Sequence, residues 1–201
     1  MGRWGWFATG SVSTAAALAI AAGIELRQAR GFSTLDPPTA LEGWMAAAAR
    51  RLAMPSAARQ AANPVADSDA VLAEARAHWA DHCASCHANN GSGDTEMGKH
   101  FYPPAPDMRA AATQSKTDGE LFFIIQNGVR MSGMPAWGAS GHEEDSWKLV
   151  RFIRHLPHLT AQEELDMQHM NPKSPDELEE EKQERDFLKG GVSNEPTSHA
   201  H

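Results

Sequence analysis

The stretch Cys83-Ala84-Ser85-Cys86-His87 decides how this chain is read. Its two cysteines are the only ones among 201 residues. A single pair standing three apart excludes a disulfide framework, which needs several pairs spread along the chain. A closed zinc site needs about four ligands and finds only two sulfurs here. A redox dithiol would use the same spacing.

The chemistry of the five residues favours a different reading. Two thiols three residues apart on a helical turn can reach the two vinyl groups of one haem and form thioethers. The adjacent histidine then lies under the iron as its proximal ligand. A rigid macrocycle demands this spacing. With an export-like segment upstream and no further cysteine, the cofactor implied is one covalent haem c and its iron.

The surroundings fit. Ser68 or Asp69 caps a helix that runs to about Cys83, with Leu72, Ala75, Trp79 and His82 on one face. A glycine-rich loop follows, Asn89 to Gly98, then the proline-broken stretch Tyr102-Pro103-Pro104-Ala105-Pro106, which cannot be helical. Asp118 caps a helix over Gly119 to Gln126, built on Leu121, Phe122, Ile124 and Ile125, and Asn127-Gly128 closes it. A last helix spans about His142 to Leu156, with Trp147, Val150, Ile153 and Leu156 on one stripe, and Pro157 ends it.

The iron needs a sixth ligand or an open position. Met134, in Asn127-Gly128-Val129-Arg130-Met131-Ser132-Gly133-Met134-Pro135-Ala136-Trp137, lies 47 residues after His87, enough chain to pass round a haem edge. Pro135 stiffens the backbone there and Gly133 permits close approach. Met131 competes for the role, and core gap-filling is the plain alternative for either methionine. A His/Met pair raises the reduction potential and occupies both axial sites, leaving no place for substrate. The chain is therefore expected to be an electron-transfer protein and not an enzyme.

Residues 70–158 resemble a monohaem class I cytochrome c. The helix entering CASCH, the stretch NGVRMSGMPAWG and the closing helix WKLVRFIRHLP carry the resemblance, which covers somewhat under half the chain. It implies an all-α fold of three to four helices around one haem, with the first and last helices crossing so that Trp79 meets the Trp147/Val150 face. It also implies that a carbonyl near Pro103 or Pro104 accepts the second imidazole proton of His87. Trp137 is implied to bond a haem propionate, with a core indole as the rival reading. Tyr102 and Arg109 are weaker candidates for the same role.

Four regions follow: a membrane anchor or signal over 1–24, a linker over 25–68 with a short helix near 40–53, a cytochrome domain over 69–160, and an acidic, largely disordered tail over 161–201. The net charge is −8, of which residues 160–201 carry −7. Such a balance argues against nucleic acid. Residues 4–24 hold no charge and at about 1.5 Å per residue span a bilayer core. They act either as a single retained anchor or as a signal cleaved near Ala17-Leu18-Ala19 or Ala19-Ile20-Ala21. Both place the rest on the periplasmic side of a bacterial inner membrane, tethered or soluble. His199-Ala200-His201 could grip copper or nickel, though an idle disordered pair is the plainer reading.

The function expected is single-electron transfer between redox proteins: a quinol-oxidising complex, a dehydrogenase or a terminal oxidase. A permanent haem subunit of a larger membrane oxidoreductase is the alternative. A haem enzyme or gas sensor with a labile sixth ligand is a third.

Overall fold

The computed structural model describes residues 3–28, 33–138 and 141–188, excluding the side chains of residues 3–9 and of Gln28. His199 and His201 lie outside the described residues. The helices in chain order are α1 (Arg3–Gln28), α2 (Ala40–Ala53), α3 (Ser56–Gln60), α4 (Asp69–His78), α5 (Ala84–His87), α6 (Glu96–Lys99), α7 (Ala111–Gln114), α8 (Asp118–Asn127), α9 (Glu143–His155), α10 (Ala161–Gln168) and α11 (Pro175–Leu188). A π-helical turn, Trp79–Cys83, joins α4 to α5, and a 3₁₀ turn, Leu156–His158, closes α9. No strand occurs among the described residues. The described residues form the all-α fold that the resemblance implies.

Local chemistry sets the boundaries. The Ser68 hydroxyl caps α4 by accepting from the Val71 amide. At α8 the cap is Thr117 and not Asp118: Thr117 and Glu120 exchange bonds in a capping box. Gly128, at φ +65°, ends α8 in the region glycine enters freely.

The core forms where α4 crosses α9, the crossing that the resemblance implies. Trp79 packs on Phe152, ring centres 5.5 Å apart, while Trp147 stacks on Phe122 of α8 at 4.0 Å. The ring partner of Trp79 is thus Phe152, one residue off the expected stripe. The buried face of α9 is broad, taking in Leu149 and Phe152 beside Trp147, Val150 and Ile153.

Two flanking segments belong to this packing. Helix α3 lies on α8 so closely that a β-carbon at Gly119 would collide with the Ala58 carbonyl oxygen. Asn63 donates to the Trp147 carbonyl at 3.0 Å, and Arg151 donates twice to the Val65 carbonyl, at 3.0 and 2.7 Å. The packed unit therefore begins some ten residues before position 69. At the other end Met167 of α10 is wholly buried. With its amide oriented to satisfy both atoms, Asn171 donates to the Ala80 carbonyl at 3.1 Å and exchanges bonds with Asn89. The first part of the tail is built in, contrary to the expectation that it packs little.

Glu163 ties that segment down. Its carboxylate accepts from the Thr160 amide and hydroxyl at 2.9 Å each, lies 2.9 Å from His155 Nε2 and 3.3 Å from Arg76 Nη1. Partial burial pushes its pKa up, but these bonds outweigh it and leave it below the ordinary carboxylate value. A depressed folded pKa stabilises above the unfolded pKa, and that contribution disappears as pH falls through the folded value. Glu163→Gln should cost about 1–2 kcal/mol at neutral pH, roughly a lost cap plus a half-exposed ion pair. The difference between the two proteins in urea melts should shrink as pH drops below about 4.

Helix α1 is continuous over 26 residues. Among the described residues no helix is long and apolar enough to cross a membrane. The expected span over 4–24 is thus met in length and helicity but not in apolarity. Trp4, Trp6 and Phe7, which supply much of its apolar character in the sequence, have side chains outside the described set.

Candidate haem site

The π turn sets the site's geometry. A π turn takes one residue more than an α turn, so it delays the side-chain register by one position. Trp79, Ala80 and Ala84 turn inward, Cys83 is half-buried, and His82 faces out. A uniform α-helix would have put His82 on the inner face; the expectation for that residue fails for this reason.

Cys83 and Cys86 are both free thiols. Burial, with a smaller push from Cys86, raises the Cys83 pKa to about 12, so this sulfur is a neutral apolar group. Cys86 Sγ lies 3.5 Å from Met97 Sδ. The Trp79 indole sits 5.7 Å from the His87 ring and donates to the Ala88 carbonyl at 3.0 Å, pinning the backbone just beyond the histidine. Ala88 itself holds φ +61° with ψ 159°, a region essentially reserved for glycine that costs an alanine about 1–3 kcal/mol.

Burial lowers the pKa of His87, offset in part by the Pro106 carbonyl, so the imidazole is neutral at pH 7. Its Nδ1 is buried and has no partner at full hydrogen-bond geometry. The backbone carbonyl that bears on the titration of the ring is that of Pro106, two positions beyond Pro104. The loop reaches His87 later than expected because it is fastened on either side of Pro106. Ala105 donates its amide to Gly98 O at 2.9 Å, and Met108 donates to Gly91 O at 2.7 Å.

The second loop leaves α8 and turns back on it. The Val129 amide donates to Met134 O at 3.2 Å, and the Trp137 amide to Ile125 O at 3.1 Å. Met134 and Trp137 are both half-buried against the core, as is Cys83. Met131 is 90% exposed, which separates the two methionines sharply. A β-carbon on Gly133 would stand 2.6 Å from Phe101, so the two loops meet there. Trp137 also stacks on His82, ring centres 5.6 Å apart.

The other candidates are engaged elsewhere. Arg109 holds Asp107 in a two-pronged pair, both bonds 2.9 Å, and the Tyr102 hydroxyl bonds Glu42 of α2. His82 Nδ1 lies 3.3 Å from Asp81, and His100 Nδ1 2.7 Å from Glu96 O. Among the described residues no group of three or more His, Cys, Asp and Glu side chains could hold a metal ion by itself.

The donor set suits one guest. Two free thiols lie three residues apart on one turn. A half-buried imidazole whose Nδ1 is buried and unmatched follows them, and a half-buried thioether sits on a loop that touches the proline segment. These are the groups that hold a haem c through sulfur and nitrogen. Fold and donors together define a c-type cytochrome domain, with haem c bound covalently and single-electron transfer as its work. Residues 70–153 match the family described as "Cytochrome C oxidase, cbb3-type, subunit III". That match covers less than half of the chain and so speaks for this domain alone. Comparison with curated proteins gives no match.

Proposed function

We propose that this chain carries single electrons on the periplasmic side of a membrane, through one haem joined to Cys83 and Cys86 and ligated by His87 and Met134. The juxtaposition of the CASCH turn with a half-buried His87 whose Nδ1 is buried is the observation that supports this most. When bound, the haem supplies a one-electron iron couple. His87 offers Nε2 as ligand, and the Pro106 carbonyl orients its ring through Nδ1. Met134 offers a soft sulfur that favours the ferrous state. Trp137, at the end of the same loop, would bond a propionate. Residues 4–24 take the domain across the membrane as an anchor or a signal.

The test is spectroscopic. The pigment should survive acid-acetone extraction, and the oxidised protein should show the near-red sulfur-to-iron band. Met134→Ala should abolish the band and lower the potential, whereas Met131→Ala, at an exposed position, should leave both unchanged. Swapped outcomes would move the ligand to Met131.

One observation favours a second reading. The matching family is described as a subunit of an oxidase, so the domain could be a permanent haem subunit of such a complex, with its flanks wrapped on a partner. A stoichiometric partner recovered with the chain from solubilised membranes would support it. A free monomer would count against it.

A further inference from the structure

Helix α2 carries an apolar stripe that the haem site does not use. Leu41, Trp44, Met45, Ala48 and Leu52 recur at the spacing of a single helix face. The four large ones are exposed, from 51% at Met45 to 86% at Leu52, and no residue of α2 is buried. Yet the helix is held at both ends. The Glu42 carboxylate accepts from the Thr39 amide and hydroxyl at 2.7 Å each and from the Tyr102 hydroxyl, next to the proline loop. Arg59 of α3 donates to the Arg51 carbonyl and lies 3.7 Å from Glu120 of α8. The stripe is thus presented outward from fixed points on the haem domain.

We propose that α2 lies in the headgroup layer of an anionic lipid surface, its stripe buried among the upper acyl chains and the haem domain held against the membrane. Charge selects this occupant. The stripe carries no charge, Arg51 is exposed at its edge, and the one carboxylate of α2 is already hydrogen-bonded. Trp44 is the residue type that settles at a lipid–water boundary. Helix α1, exposed at every described side chain from Gly10 to Arg27, ends at Gln28, twelve positions before α2 begins. None of this depends on the haem ligands, and it holds whether α1 is retained or removed.

The experiment uses the full haem-loaded chain with phosphatidylcholine vesicles, with and without phosphatidylglycerol. A spin label is placed at Met45→Cys, on the stripe, or at Ala46→Cys, off it. With Cys83 and Cys86 consumed as thioethers, one label per chain is expected, and that count reports on the haem reading separately. On anionic vesicles the ratio of oxygen to water-soluble nickel accessibility should rise several-fold at position 45 and stay near its solution value at 46. Arg51→Gln should weaken the anionic enhancement about fivefold, and Arg50→Gln, on the opposite face of the helix, should weaken it less. The proposal is overturned if both positions stay water-accessible on vesicles, or if the chain does not float with them. It is equally overturned if position 45 is shielded only in a complex with other membrane proteins, which would make the occupant a protein.

Discussion

Replacing Phe152 with alanine is expected to destabilise the domain by about 3–5 kcal/mol, a large share of the roughly 5–15 kcal/mol that folded domains have in total. The side chain is fully buried, and its ring packs 5.5 Å from Trp79 and 6.3 Å from His155. Trp79 in turn stands beside His87 and pins Ala88 through its indole. Truncation therefore leaves a cavity at the crossing of α4 and α9 and frees the tryptophan that positions the haem-binding turn. Urea melts of the haem-loaded protein would measure the cost, and Phe152→Leu should restore most of it. A loss under about 1 kcal/mol would show that this contact is peripheral.

What could be read in advance depended on how local the signal was. The helices Asp69–His78, Asp118–Asn127 and Glu143–His155 announce themselves through caps and an apolar period, and the CASCH turn through its spacing. Even so, the π turn at Trp79–Cys83 escaped, because an extra residue per turn leaves no mark in a uniform 3.6 period. Phe152 escaped for a related reason: α9 buries a face wider than one stripe. Asn63, Val65, Met167 and Asn171 had no signal at all. Each is a lone residue in a polar, proline-punctuated stretch, and its worth comes from a distant partner: Trp147 O, Arg151, the core and Ala80 O. Pro106 illustrates the same limit at the site. Three prolines in four positions made the loop conspicuous, but only its tertiary fastening at Gly91 and Gly98 decided which carbonyl meets His87.

These late additions change what the flanks are for. Residues 56–65 brace α8 and α9 from one side, and residues 161–171 close over α4 and the start of the glycine-rich loop from the other. Both flanks thus pack on the elements that carry the CASCH turn and the loop bearing Met134. A chain cut to 69–160 would keep every residue proposed to hold the haem and lose both braces. In function, the braces matter because a pre-set ligand geometry needs little rearrangement when the iron changes charge.

Converting both Cys83 and Cys86 to alanine should remove covalent pigment completely, so that any haem carried by the variant is extracted by acid acetone. The protein's own packing should change little, and this makes the result readable. Cys86 is half-exposed beside the Met97 sulfur, and Cys83 is half-buried at the rim of the core, so each truncation removes one sulfur and leaves a small cavity. Losses from packing alone should stay near 1 kcal/mol per site. A fall in stability well beyond that sum would measure what the attached haem contributes to a core in which Trp79, Trp147 and Phe152 are the only buried aromatics among the described residues. The single variants separate the two roles. Either one should keep haem through the remaining thioether and His87, with the α-band shifted toward that of a haem with one free vinyl group. If the double variant still holds its pigment through denaturing extraction, the attachment lies elsewhere and the CASCH turn is not the haem anchor.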